Sequence, residues 1–257
     1  DRVIQDTIEG SDYSLRVHYL DEDADEVKEA VRMCREHKPM GILFLGGNIQ
    51  YFHEEFELVN VPCVLVTDRA DKLGFRNLAS VSTDDMAAAE MAVDYLFDHG
   101  HRDIAVIGGD MALSSPSKYR KAGAKRSFIK HGCEFEEESY AVARFSYESA
   151  YNAMNRMLAS QRSITAVFAM SDVMAVGAMR AIFDAGLRVP EDISVIGFDG
   201  TLLADYYNPK IVTVCQGYEK IARKSIDLLF GMIDLNKPAT HELVPFSLKN
   251  TESVSSI

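Results

Sequence analysis

The residues with the clearest chemical potential follow the apolar segments of the chain. Ser171 and Asp172 come directly after one apolar run, Asp199 ends another, and Arg120 follows a third. In open α/β sheets, ligands bind just beyond the carboxyl ends of the strands. Carboxylates and a guanidinium that converge there can bind hydroxyl groups in bidentate fashion. Aspartates at strand ends also cap helices, so the spacing alone leaves both interpretations open.

The signatures of common enzyme sites are missing from the sequence. Gly108-Gly109 does not extend to G-x-G-x-x-G, and neither a P-loop nor a G-x-S-x-G nucleophile turn occurs. The four cysteines are scattered without a C-x-x-C pair, which favours reduced core residues. His99 and His101 lie close together, but a surface turn is favoured over a metal site because no further ligand stands at suitable spacing. We therefore expect a binding protein that is not an enzyme, with no cofactor and no metal.

Short apolar runs recur along the chain and predict buried strands. They are nearly continuous rather than alternating, which is typical of strands buried on both faces of a parallel sheet. The predicted strands are 41–46, 61–66, 104–108, 165–169 and 193–197.

Amphipathic helices alternate with these strands. The marked helices begin at Asp84 or Asp85, at Ser146, at Ser171 and at Tyr218, and Gly100 and Gly186 end the first and the third. The alternation predicts an α/β, doubly wound fold. A single sheet of this type rarely takes 257 residues, so two lobes are expected.

The composition limits what this part of a protein can bind. The net charge is −12, whereas a DNA-binding surface needs clustered lysine and arginine. No apolar run is long enough for a membrane span, so a cytoplasmic location is expected. Residues 1–9 predict the tail of a helix and Tyr13–Leu20 a strand. No strand precedes that helix, so a first β-strand would be missing from this sequence.

Specific strings in the second half of the chain resemble the LacI/GalR family of transcription regulators. They are HGHRDIAVIGG at 99–109, AVFAMSDVMAVGA at 166–178 and VPEDISVIGFD at 189–199, followed by Pro209, by Val212-Thr213-Val214 and by Gln216. The third string matches the family pattern at every position. The resemblance covers about residues 13–244.

The resemblance implies a periplasmic-binding-protein-like fold of type I, with two Rossmann-like lobes and parallel sheets. Three crossovers would fall near Ser82, Gln216 and Ala239. The N-terminal lobe would comprise residues 1–82 and 217–238, and the C-terminal lobe residues 83–216 and 239–257. The family also carries an N-terminal helix-turn-helix that reads operator DNA as a homodimer, and this segment is absent from the sequence.

The resemblance also indicates ligand-binding residues. Arg120 and Asp199 match the polar groups of the family's pocket, and Arg120→Ala is expected to weaken binding without unfolding the domain. Phe145 matches a ring that stacks on the ligand, with core packing as the alternative. Further candidates are Ser171, Gln216 at a crossover, Asp68 at a strand end and Ser114 before Arg120. Asp172 is expected to be structural, as a cap of the next helix.

Together these features favour the effector-binding domain of a LacI-type regulator. A small molecule, most often a sugar or sugar derivative in this family, would bind between the lobes and shift their arrangement. The alternative is a periplasmic or surface sugar-binding protein of a transporter, which shares the fold. An α/β enzyme is a third possibility that no motif supports.

Overall fold

A computed structural model of the chain describes residues 2–21, 24–160 and 163–257. Asp1, the first residue of the helix expected at 1–9, lies outside the described residues. The chain divides into two compact units. The first contains Asp1–Thr83, Leu113–Ser115 and Gly217–Pro245, and the second Asp84–Ala112, Pro116–Gln216 and Phe246–Ile257.

The helices and strands alternate along most of the chain. The helices are α1 (Arg2–Glu9), α2 (Glu26–Glu36), α3 (Asp85–Asp98), α4 (Ser115–Lys130), α5 (Tyr147–Ala159), α6 (Asp172–Asp184), α7 (Leu202–Tyr206) and α8 (Tyr218–Asp234). The strands are β1 (Ile42–Leu45), β2 (Cys63–Val66), β3 (Leu78–Ser82), β4 (Ile104–Gly108), β5 (Tyr140–Val142), β6 (Ala166–Ala169), β7 (Ser194–Asp199), β8 (Val212–Cys215), β9 (His241–Leu243) and β10 (Ser247–Lys249).

The first unit is built on a parallel sheet in the order β1-β2-β3-β9. Because successive side chains of a strand point to opposite faces, the strands of this sheet contribute side chains to two hydrophobic cores. Phe44 and Leu65 join the core that includes Phe56, while Val64 and Val81 join the core on α8. Helix α1 is attached to α8 through the apolar side chains that the two helices share in a small cluster.

The second unit is built on a six-stranded sheet in the order β10-β8-β7-β6-β4-β5. All its pairs are parallel except that of β10 with β8. Strands β4 and β6 are buried along their whole length. The predicted parallel strands are therefore confirmed, and with them the α/β class, because continuous apolar runs are stable only where both faces of the sheet are covered.

The predicted starts of α3 and α6 are confirmed by capping bonds. The side chain of Asp84 accepts a hydrogen bond of 3.1 Å from the amide of Ala87 at the start of α3. Ser171 accepts one of 3.1 Å from the amide of Met174 at the start of α6. Each bond satisfies an amide that the first turn of a helix leaves without an internal partner.

The strand predicted at Tyr13–Leu20 is wrong. No strand pairing forms over these described residues, and the Tyr19 side chain is 87% exposed. A single strand without a neighbour to pair with has no ladder to satisfy its backbone groups. Tyr13 instead packs against Phe230, with 4.8 Å between the centroids of the two tilted rings, and its hydroxyl donates a hydrogen bond to Asp234.

Two further expectations are corrected. Residues 239–245 were expected in the C-terminal lobe, but β9 pairs with β3 in the first unit's sheet, so the crossover follows Pro245. His101 was expected in a surface turn, but its side chain is buried and contacts Thr165 and the carbonyl of Ser255. No metal-binding group of side chains occurs within the described ranges. Of the helices in the described ranges, none has the length and apolarity of a membrane span.

Candidate ligand-binding site

The carboxyl edge of the second unit's sheet collects most of the predicted site residues. Gly109 follows β4, Met170 follows β6, Asp199 ends β7 and Gln216 follows β8. These strands are parallel, so their ends meet at one edge of the sheet. This edge is therefore the candidate site.

Arg120 on α4 is bound from three sides at this edge. Its Nε donates a hydrogen bond of 2.7 Å to Oδ1 of Asp85, and Nη1 donates one of 2.6 Å to the carbonyl oxygen of Met170. The guanidinium carbon lies 3.7 Å from the centroid of the Phe198 ring, which is cation–π contact. The Arg120 side chain is only 5% exposed. These contacts fix the position of the guanidinium.

The close approach of α4 to α3 makes the Arg120–Asp85 pair possible. A Cβ atom on Gly123, one turn beyond Arg120, would lie 2.1 Å from the carbonyl oxygen of Met86 on α3. Only glycine leaves room for this approach, which brings the start of α3 to the arginine. The glycine of the Arg120-Lys121-Ala122-Gly123 segment thus has a packing role.

Asp199 lies beside the arginine. Its Oδ1 is 3.9 Å from Nη1 of Arg120 and accepts a hydrogen bond of 2.7 Å from Nε2 of Gln216. The backbone of Asp199 has φ = 117°, a region that residues other than glycine rarely adopt. The structure therefore joins Arg120, Asp199 and Gln216 in one hydrogen-bonded and ionic group.

Phe145 and Ser171 lie at the same edge with different exposure. Phe145 is 36% exposed, and its ring lies against Gly109, where a Cβ would meet it at 2.8 Å. An exposed ring at a binding edge suits stacking on a ligand more than core packing. Ser171 is buried, and its hydroxyl caps α6.

Asp68 and Ser114 belong to the first unit. Ser114 was expected in the C-terminal lobe, but Leu113–Ser115 groups with the first unit. Asp68 follows β2, is buried, and accepts a hydrogen bond of 2.7 Å from the amide of Arg69. Ser114 is half-buried in the loop before α4. Asp68 thus occupies the carboxyl end of a strand in its own unit's sheet.

Two aspartates differ from the expectations for them. Asp172 was expected to cap α6, but Ser171 provides that cap, and the Asp172 carboxylate binds Thr201 and Thr213 instead. Asp85, read as a possible helix cap, is the partner of Arg120. Both contacts join segments far apart in sequence, so no local pattern could have indicated them.

The charges at this edge favour neutral polar ligands. The single positive charge of Arg120 lies between the carboxylates of Asp85 and Asp199, both within 4 Å of its nitrogens. A hydroxyl both donates and accepts hydrogen bonds, which matches a guanidinium beside a carboxylate. The hydroxyl of Tyr140 donates a hydrogen bond of 2.6 Å to the carbonyl oxygen of Gly109. Burial raises the pKa of this hydroxyl, so it keeps its proton and remains a donor.

The fold and this site define a class of protein. Two α/β units, with a polar group at the carboxyl edge of a parallel sheet, are the features of a periplasmic-binding-protein-like domain. The family described as "Periplasmic binding protein-like domain" matches residues 93–254.

Comparison with individual proteins narrows the class to one family. The chain is 32% identical over 260 residues to the HTH-type transcriptional regulator MalR of Clostridium butyricum, covering 99% of this chain and 77% of MalR. It is 36% identical over 193 residues to the probable HTH-type transcriptional repressor ExuR of Bacillus subtilis, covering 75% of this chain and 56% of ExuR. The chain belongs to the LacI family of transcription regulators.

A solved structure agrees with this assignment. The complex of the transcriptional regulator CelR with cellobiose superimposes with a TM-score of 0.80 at 26% identity, over 89% of this chain and 70% of CelR. These relatives are regulators, so the transporter-associated binding protein considered from the sequence is disfavoured.

Proposed function

We propose that this chain is the effector-sensing domain of a LacI-type transcription regulator, and that Arg120 and Asp199 bind the effector. The observation that carries the proposal is the 3.9 Å separation of Nη1 of Arg120 and Oδ1 of Asp199 at the carboxyl edge of the sheet. A vicinal pair of hydroxyls can give one hydrogen bond to such a carboxylate and accept one from the guanidinium. Sugars and sugar derivatives carry such pairs.

The other candidate residues have roles that fit this ligand class. The exposed ring of Phe145 would stack on the apolar face of a sugar ring. Gln216 orients the Asp199 carboxylate through its 2.7 Å hydrogen bond and can contact the ligand at the same time. Ser171 would supply its hydroxyl at the same edge, and Asp68 and Ser114 stay candidates from the sequence.

The relatives are HTH-type transcription regulators by name, and the chain covers between about half and three quarters of the length of the two named here. We infer that the whole protein binds operator DNA in the cytoplasm as a homodimer, through a helix-turn-helix outside this sequence. The net charge of −12 supports an arrangement in which the helix-turn-helix contacts the DNA and this chain does not bind the phosphate backbone. The effector acts by preferring one conformation and so shifting the population.

Binding would occur without turnover. The polar groups of the site hold one another in place, as in the Arg120–Asp85 pair, which suits a rigid binding surface. A ligand recovered after long incubation with the protein should be chemically unchanged, and conversion to a product would contradict this part of the proposal.

The proposal is tested by thermal melting of the chain with a panel of sugars, sugar phosphates, nucleosides and purines. A ligand that binds only the folded state at a hundred times its Kd stabilises it by about 2.7 kcal/mol. We expect a neutral sugar or sugar derivative to raise Tm. A response to sugar phosphates alone would contradict the neutral ligand class, and a panel without any response would contradict effector sensing of these compounds.

A further inference from the structure

The backbone of Asp199 is held in a conformation that it would not adopt by itself. Its φ of 117° is followed by φ = 73° at Gly200, where glycine carries no steric cost. For a residue with a Cβ, such a conformation is strained and persists only where the surroundings impose it. The bonds that hold the Asp199 backbone in this conformation are therefore expected among the contacts of the residues after Asp199.

The carboxylate of Asp172 provides bonds at this position. Its Oδ2 accepts hydrogen bonds of 2.7 Å from the amide and 2.8 Å from the hydroxyl of Thr201. Its Oδ1 accepts one of 2.6 Å from the hydroxyl of Thr213 on β8. The Thr213 hydroxyl in turn accepts a hydrogen bond of 3.2 Å from the amide of Gly200. Asp172 is thus connected to both residues that follow Asp199.

The sequence makes room for this carboxylate. Asp172 is fully buried, and a Cβ on Gly197 of β7 would lie 2.6 Å from its Oδ1. Desolvation raises the pKa of Asp172, while the hydrogen bonds from Thr213 and Thr201 oppose that effect. Ser171 already caps α6, so the helix start does not need this buried charge.

We propose that Asp172 is a positioning residue of the ligand site. By fixing Gly200 and Thr201, it holds Asp199 at positive φ, with the Asp199 carboxylate bound to Gln216 and beside Arg120. Asp172 does not contact the ligand. The inference rests on the function proposed above for Asp199. It assigns to Asp172, which follows the neighbouring strand β6, the role of holding Asp199 in its binding position.

The test compares crystal structures and amide hydrogen exchange of the full chain with those of Asp172→Asn. An asparagine carries a donor where the aspartate has only acceptors, so it cannot accept all three bonds. We expect the Thr201 amide to exchange about tenfold faster or more. We also expect Asp199 to leave positive φ and its 2.7 Å bond with Gln216 to be lost.

Changes at Thr213 keep the test decisive if Asp172→Asn does not fold. Thr213→Val keeps the shape of the side chain but removes its hydroxyl, and it should release Gly200 and move Asp199. Thr213→Ser keeps the hydroxyl and should preserve the wild-type geometry of Asp199. The proposal is overturned if Asp199 keeps its φ and its bond to Gln216 in Asp172→Asn or, where that variant does not fold, in Thr213→Val. These readouts need no ligand, so a failure of the proposed function would be seen separately, in the binding test of Asp199.

Discussion

Nε of Arg120 donates a 2.7 Å hydrogen bond to Oδ1 of Asp85, and both side chains are only 5% exposed. Arg120 is therefore a structural residue as well as a candidate ligand-binding residue. Its replacement by alanine would leave the Asp85 carboxylate buried without its counter-ion, which is strongly destabilising. Arg120→Ala is therefore expected to lower the stability of the domain as well as its affinity for the ligand, and Asp199 is the better position for a binding test.

The first prediction concerns this ion pair. Asp85→Asn should lower the free energy of unfolding by about 3 kcal/mol, because it leaves a buried guanidinium without its nearest negative charge. Urea denaturation measures the change. The matched control is Glu36→Gln, which breaks an exposed pair with Arg32 and should change stability by less than about 1 kcal/mol. Equal effects of the two substitutions would contradict the structural role of the Asp85 pair.

The second prediction concerns the contact between α3 and α4. Gly123→Ala would place a Cβ 2.1 Å from the carbonyl oxygen of Met86, so the helices must separate. We expect a loss of about 3 kcal/mol, since overpacking against backbone cannot be relieved by a side-chain rotation. Gly231→Ala on α8 is the control, because its nearest neighbour is the flexible end of Lys237 at 3.2 Å. That control should gain about 0.5–1 kcal/mol from helix propensity.

The third prediction is a pH dependence that comes from His101. Burial lowers the pKa of this histidine below its usual 6.5, because the charged imidazole would lose its hydration. Between the lowered pKa and about 6.5, the unfolded chain binds more protons than the folded chain. The contribution of His101 to stability is therefore complete above about pH 6.5 and is lost as the pH falls below it.

Urea midpoints of the wild type and His101→Gln, compared at about pH 7.5 and about pH 5.5, test this dependence. The wild type should lose more stability on acidification than the variant. An equal loss in both proteins would show that His101 is not the group responsible.

Much of the fold could be predicted because buried strands need apolar residues and helices need a polar residue at their start, and both features are visible in the sequence. The apolar runs of β4 and β6 indicated strands buried on both faces, and Ser171 indicated the start of α6. The prediction of a strand at Tyr13–Leu20 was wrong because the residues of a segment do not show whether another strand will pair with it. The short, partly exposed strand β9 carries no apolar run, so the crossover after it was placed too early.

The candidate site could be predicted only in part. Arg120, Asp199 and Gln216, which the structure brings together, could be predicted as candidates because they follow strands or stand at motif positions. Asp172 was expected to cap α6, and Asp85 was one of two candidates for the cap of α3, because an aspartate at a helix start has the same local pattern whether it caps the helix or binds a distant residue. Only the packing of α3 on α4 and of β7 beside β8 distinguishes the two.

The central claim is that Asp199 binds the effector, and its most direct test is calorimetric titration of Asp199→Asn with the compound that raises Tm. Asparagine is no more strained than aspartate at this φ and can still accept the bond from Gln216, so the variant should fold with nearly unchanged stability. Asp192→Asn, at the opposite end of β7 where Asp192 pairs with Arg188 on the surface, is the control. We predict that the affinity falls about tenfold or more in Asp199→Asn and stays unchanged in the control. Wild-type affinity in Asp199→Asn would contradict the account.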